Sequence, residues 1–178
     1  FGGYLPVIAD VTDVLDWNGD NVIAVWADNS DDPSYPPGKA QDVLDYTYFG
    51  GIYRDCWLIA HNNVFITDPN YENEVAGGGL FVAFGKVSDA LAEVQLKIHV
   101  RNDKIQVKAG RATTVSDRMP VKQPMLWTPS TPTLYNLLVR VLDKEGNVID
   151  GYRRRIGIRS IEFKGKDGFY LNGRPYGK

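Results

Sequence analysis

The residues that could do acid–base or nucleophilic work are few. Glutamate occurs only at Glu72, Glu74, Glu93, Glu145 and Glu162. Hydrolysis by paired carboxylates needs two such groups about 5–5.5 Å apart, one of them keeping its proton in apolar surroundings. Glu93 falls on the outward side of an alternating run, Glu145 in a turn sequence, and Glu72 and Glu74 in a polar stretch. No pair is nominated. His61 and His99 are the only histidines; neither has a second ligand at zinc spacing, and without a Gly-x-Ser-x-Gly elbow they make a poor base for a hydroxyl nucleophile. Asp16, Asn18 and Asp20 open like a calcium loop, but Asn21 stands where glycine is required and Ala27 where a bidentate Glu belongs. That stretch reads as a solvated turn. Gly77-Gly78-Gly79 leads into no helix that could hold phosphate and reads as a flexible approach to a strand. Arg153-Arg154-Arg155 alternates between the faces of a strand, as two solvated arginines and one packed stem rather than a basic patch.

One region is denser. Tyr46, Tyr48, Phe49, Tyr53 and Trp57 crowd around Gly50-Gly51, with Asp45 leading them. Aromatic faces take the C–H surface of a sugar and a carboxylate accepts from its hydroxyls, but packing in a core or interface is the commoner use of such rings. Arg54 and Asp55 read as a structural pair at the start of a strand.

The elements that must position these residues are strands. Val94, Leu96, Ile98 and Val100 alternate with Gln95, Lys97, His99 and Arg101, the period of a half-buried strand. Ile105, Val107 and Ala109 alternate likewise after a turn at Asn102-Asp103, which predicts a hairpin. Leu137, Val139 and Val141 form a third face, closed through 143–147 into a strand over 148–158. Shorter β-prone runs lie at 22–27, 52–60, 64–67 and 80–84. The fold class expected is all-β. Residues 28–38, polar and rich in proline, are a surface loop. His61-Asn62-Asn63 is the best boundary. The stretch from there to about residue 160 has the size of an immunoglobulin-like sandwich, and the first 60 residues suit the last strands of a larger one.

The 178 residues carry 20 Lys and Arg against 22 Asp and Glu, a net charge of −2, with 43% hydrophobic residues. That balance gives no footprint for nucleic acid. The longest apolar run, 22–27, is far below the roughly 18 residues of a membrane helix. Cys56 is alone, so no internal disulfide supports the fold. Phe1 in place of Met, and the turn sequence Asn172-Gly173-Arg174-Pro175 leading onward, make both ends read as cut from a longer chain.

Several motifs, in order, resemble the family 2 glycoside hydrolases. Asp45 followed by Phe49-Gly50-Gly51-Ile52-Tyr53-Arg54-Asp55 resembles the signature closing the family's sugar-binding jelly roll. Gly3-Tyr4-Leu5-Pro6, the stretch Asp10-Val11-Thr12-Asp13-Val14-Leu15 and Asn21-Val22-Ile23-Ala24-Val25-Trp26 are similar to earlier strands of that domain. Leu126-Trp127-Thr128-Pro129 with Pro132-Thr133-Leu134-Tyr135 resembles a motif of the immunoglobulin-like second domain. Ile156-Gly157-Ile158-Arg159 and Phe169-Tyr170-Leu171-Asn172-Gly173-Arg174-Pro175 resemble the handover to a catalytic barrel. The loop containing Pro36-Pro37-Gly38-Lys39 and the stretch 66–79 are similar to β-galactosidases of the Bacteroides type, although β-glucuronidases and β-mannosidases share the architecture.

The resemblance implies three parts: residues 1–62 as the C-terminal part of a jelly-roll sugar-binding domain, 63–160 as an immunoglobulin-like sandwich, and 161–178 as the lead-in to a TIM barrel. It implies a retaining hydrolase of terminal β-galactosides whose two catalytic Glu lie on that barrel, so that this chain alone is inactive and has no catalytic residue of its own. The alternatives are a free carbohydrate-binding module, or a relative of the β-glucuronidases or β-mannosidases. Asp45, six residues before Gly51, matches the family's jelly-roll Asp that reaches the substrate and a bound monovalent cation, and is the one substrate-binding candidate. A monovalent or magnesium cation belongs to the full-length parent, with none expected in the residues here. Phe49 stands where the family often has Tyr, so a hydroxyl contact is lost. Trp127, Pro132 and Tyr135 read as core and turn residues. The implied partners are a β-galactoside and the barrel, with an oligomeric parent in a periplasmic or secreted bacterial setting.

Overall fold

The computed structural model describes residues 5–47, 49–72, 78–102 and 113–177. The chain forms two compact units, Phe1–Ile59 and Ala60–Lys178. Charge divides between them: the first carries ten carboxylates, all aspartate, against Lys39 and Arg54, while the second carries twelve carboxylates against eighteen lysines and arginines. No helix among the described residues is long and apolar enough to cross a membrane.

The second unit is an all-β sandwich. Its strands are β1 (Val64–Ile66), β2 (Leu80–Val87), β3 (Leu91–Asn102), β4 (Thr113–Lys122), β5 (Tyr135–Leu142) and β6 (Val148–Ile156), followed by a small meander of β7 (Ile161–Phe163), β8 (Phe169–Leu171) and β9 (Arg174–Pro175). β3 is the organising strand. One of its edges pairs with β2 and then β1, end to end, and the other pairs with β4, all antiparallel. His99 marks the junction: its N–H donates to the Gly79 carbonyl at 2.9 Å and its own carbonyl accepts the Thr67 N–H at 3.0 Å. β5 and β6 form a hairpin, with Leu137 opposite Arg154 and Val139 opposite Tyr152.

Alternation decides what is buried. Val94 and Leu96 of β3 face Leu137 and Val139 of β5, and with Ile66, Ala92 and Ile158 they form a single core. The β5–β6 turn is the hairpin expected from 143–147. The Asp143 carboxylate accepts the backbone N–H of Glu145 (3.0 Å) and Asn147 (2.8 Å) and the Asn147 amide (2.9 Å), and Gly146 takes φ +88°. These bonds, the Asn147 side chain first, hold the exposed Asp143 carboxyl below its ordinary pKa.

Two expectations are corrected, and another falls on residues outside those described. β4, with Pro120 within it, is the described partner of β3 on that edge; the strand expected over Ile105, Val107 and Ala109 lies outside the described residues. Proline breaks the look of a strand in sequence but is tolerated where its missing N–H faces away from the ladder. The glycine run is not a loose approach. Gly78 and Gly79, with φ +67° and +57°, are buried, and a Cβ on either would sit 2.8 Å from Pro69 Cα or 2.7 Å from the Thr67 carbonyl. Only glycine allows this close approach. Pro69 opens a one-turn helix α1 (Pro69–Glu72), capped by Asp68, whose Oδ1 accepts the N–H of Asn70 (2.8 Å) and Tyr71 (3.0 Å).

The second correction concerns the first unit. No strand forms there among the described residues; its one regular element is the 3-10 turn Gln41–Val43. The runs 22–27 and 52–60 are strand-like in composition, yet Val22 and Trp26 are each 91% exposed. A strand is defined by the partner that takes its backbone hydrogen bonds, and the described residues of this unit supply none.

Candidate functional site

Asp45 follows a loop closed by side-chain hydrogen bonds. The polar loop before it is built from side chains that fold onto their own backbone. Asp28 accepts from the Ser30 N–H (2.9 Å) and hydroxyl, and Asp32 accepts from the Ser34 N–H (2.8 Å) and hydroxyl (2.5 Å). The hydroxyl bonds, then the backbone bonds, hold both carboxyls below their usual range. The loop closes where Asp31 Oδ1 accepts the Gln41 N–H at 3.0 Å, which starts the turn Gln41–Val43. Further on, the Asn29 carboxamide lies close against Gly50, where an added Cβ would come within 2.6 Å of its Cγ. Leu44 is half-buried and Asp45 is exposed. The Asp45 carboxylate thus follows the closed loop directly and is open to solvent.

Chemically this arrangement can accept hydrogen bonds and little else. Among the described residues no three His, Cys, Asp or Glu side chains cluster as they would to hold a metal ion. A cation needs several oxygen ligands, and the described carboxylates are not gathered into such a set. The aromatics beside Asp45 do not pack as a core: Phe49 is 73% and Trp57 78% exposed, while Arg54 stacks over the Tyr53 ring at 5.1 Å. Tyr48 lies outside the described residues. No strand starts at Arg54 and Asp55, contrary to the sequence reading.

Two glutamate carboxylates have local partners: Glu93 accepts from Gln95 Nε2 at 2.6 Å and Glu162 pairs with Lys164 at 3.3 Å. Glu72 and Glu145 donate backbone N–H groups, to the Asp68 carbonyl at 3.1 Å and to Asp143 Oδ1 at 3.0 Å; Glu74 lies outside the described residues. Asp16, Asn18 and Asn21 bond to backbone in a closed turn: Asp16 Oδ1 accepts the Asn18 N–H (2.9 Å) and Asn21 Nδ2 donates to the Asp16 carbonyl (2.8 Å). His61 stacks on Phe65 with ring centroids 4.7 Å apart and places Nδ1 3.8 Å from Asp150, while His99 Nε2 lies 3.4 Å from the Thr114 hydroxyl.

The motif around Trp127 does structural work. The Trp127 N–H donates to the Ile158 carbonyl (2.8 Å), and its own carbonyl accepts from Asn172 Nδ2 (3.0 Å). Asn172, at φ +53°, also accepts the Ser160 N–H (3.0 Å). Arg159 covers the indole at 5.1 Å, and Tyr135 Oη accepts the Met125 N–H at 2.8 Å. One side chain, Asn172, therefore joins the Trp127 segment, the end of the sandwich and the β7–β9 meander.

The family model described as Glycosyl hydrolases family 2 matches residues 63–159, more than half of the chain. The chain belongs to this family. A β-galactosidase of Thermoanaerobacter pseudethanolicus is 29% identical over 98% of the chain, and a β-galactosidase of Bacteroides ovatus 28% over 97%. Among solved structures, Bacteroides uniformis β-glucuronidase 2, covalently bound to cyclophellitol-6-carboxylate aziridine, matches 79% of the chain at 30% identity with a TM-score of 0.63. The chain covers 24%, 21% and 19% of these proteins, about a fifth to a quarter of the length of each. Relatives thus include both β-galactosidases and β-glucuronidases, and the family resemblance read from the sequence holds.

Proposed function

We propose that this chain is a non-catalytic accessory portion of a retaining glycoside hydrolase that cleaves terminal β-galactosides. The observation that carries the reading is the alignment: β-galactosidases match along 97–98% of the chain while the chain spans under a quarter of their length. Residues 1–62 are the C-terminal part of a jelly-roll sugar-binding domain, 63–160 an immunoglobulin-like sandwich, and 161–178 the lead-in to a TIM barrel. The acid and the nucleophile are two glutamates of that barrel, one protonating the glycosidic oxygen and the other forming the glycosyl-enzyme. In keeping with this, the Glu93 and Glu162 carboxylates are each engaged by a neighbouring side chain, Gln95 and Lys164. Asp45 accepts hydrogen bonds from substrate hydroxyls once the barrel completes the pocket, and it contributes to the cation site of the full-length parent.

A β-glucuronidase is the second reading, favoured by the 30% identity to the Bacteroides uniformis enzyme. The deciding experiment is hydrolysis of an aryl galactoside, glucuronide and mannoside by a parent extended through its barrel, with this chain as control. Turnover of the galactoside by the parent alone is the expected result. Turnover of the glucuronide selects the second reading, and turnover by the chain alone overturns both.

A further inference from the structure

The outward face of the β5–β6 hairpin gathers positive charge from two strands. Arg153 and Arg155 leave β6 on the side away from the core, while Arg154 shares the other side with Tyr152 and lies over its ring at 4.8 Å. The register sets Asn136 opposite Arg155, Leu138 opposite Arg153, and Arg140 opposite Gly151, so Arg140 is a diagonal neighbour of Arg153 on the same face. Like charges so placed repel one another, and no described carboxylate lies within 4.0 Å of Arg140, Arg153 or Arg155 to relieve them. Arg153 is oriented nonetheless: its Nε and Nη2 donate to Asn136 Oδ1 at 3.3 and 3.2 Å. Two of its five N–H groups are used, and the rest are free for a ligand in an open depression lined by Asn136, Arg153, Arg154 and Arg155. Leu138 and Leu142, 53% and 54% exposed, share this face with the arginines.

We propose that this face binds a carboxylated glycan, a chain of sugars bearing uronate groups, at a site that does not involve Asp45. The guanidinium fork matches a carboxylate in two parallel hydrogen bonds, which a lysine cannot do. Asn136 brings an amide for the neighbouring hydroxyls, and the two leucines offer an apolar patch for a sugar C–H surface. The face is open rather than grooved, as a long chain requires. Single-stranded nucleic acid shares the negative charge, but its bases stack on aromatic rings, and the outward residues of β5 and β6 include none. The site would hold a polymer near the enzyme without taking part in cleavage, and so extends the reading of the chain as part of a glycoside hydrolase.

Calorimetric titration of this chain with a hexamer of glucuronate at low salt tests the proposal, with a neutral galactose hexamer and a polyaspartate of equal charge as comparisons. The expected result is saturable binding of the glucuronate hexamer that weakens as salt rises, none of the neutral hexamer, and a loss of at least tenfold in the exposed double variant R153Q/R155Q with the circular dichroism unchanged. The double variant K86Q/K97Q, on the other sheet, should bind as the unaltered chain does. Absence of glucuronate binding, equal affinity for polyaspartate, or equal loss in both double variants overturns it. Hydrolysis is not read, so this result stands apart from the test of the catalytic parent.

Discussion

Asp150 on β6 accepts the backbone N–H of Ile66 on β1, at 2.6 Å, in place of a strand carbonyl. Ile66 is fully buried and Asp150 mostly so, and the segment before β1 is held by the same neighbourhood, with Asn62 Nδ2 donating to the Ile149 carbonyl at 2.6 Å. A carboxylate thus ties the two halves of the sandwich where no ladder joins them.

Removing that acceptor strands a buried N–H. Asp150→Ala should destabilise the chain by about 1–3 kcal/mol, and Asp150→Asn, which keeps an acceptor oxygen, by clearly less. Urea unfolding midpoints at constant m-value measure both, and an alanine variant as stable as the parent would refute the role of this bond.

Gly157 tests the Trp127 packing. An added Cβ would lie 2.8–3.0 Å from the Cδ1, Cγ and Cβ of Trp127. These atoms sit at the root of the side chain, so no rotation of a flexible tip relieves the clash. Gly157→Ala should cost about 1–3 kcal/mol and lower the melting temperature, with a change in the near-ultraviolet circular dichroism of the indole.

The β5–β6 turn has an acid-side signature. The folded pKa of Asp143 is depressed by bonds that favour its charged form, so its contribution to stability is present above the ordinary carboxylate value near 3.9 and fades as pH falls through the lower folded value. Carbon-detected NMR titration should place Asp143 below that ordinary value and move it upward in Asn147→Ala. An unmoved titration would show that Asn147 does not set it.

Asp45 is tested in the full-length parent. If it accepts a substrate hydroxyl through a charged hydrogen bond, Asp45→Ala should lower kcat/KM by roughly 10–100-fold, the loss of a bond of about 1.5–3 kcal/mol. Unaltered kinetics in a folded parent would leave Asp45 a solvated loop acid.

Much of the sandwich is legible in the sequence because burial on one face writes itself into every second residue. Val94 and Leu96, Leu137 and Val139 declare their faces, and Asp143 through Asn147 declare the turn. β4 is hidden by Pro120 and by the exposure of Val115, 49% accessible, which erase the apolar stripe. The cap of α1 carries a signal, Asp68 before Pro69, but one turn of helix has no period to detect. The first unit differs in kind. Residues 22–27 have the composition of a strand, but composition sets what a segment can pair with and not whether a partner is there. The site is less legible still. Asp45 is marked by resemblance alone, since an exposed loop carboxylate leaves no trace in spacing. The arginine face is invisible because Arg140 reaches it from the neighbouring strand, through a register that no linear pattern contains.

The arrangement around β3 has a kinetic consequence. Its backbone groups are engaged along both edges, by β1 and β2 on one side and β4 on the other. An amide at the centre of such a strand has no cheap local fluctuation that frees it, because exposing it means detaching a neighbour along its whole length. Hydrogen exchange in β3 should therefore follow opening of the entire sandwich, while the β7–β9 meander, three short strands with the exposed Phe163, exchanges through smaller excursions. The slowest clock in the molecule is set by its most shared strand.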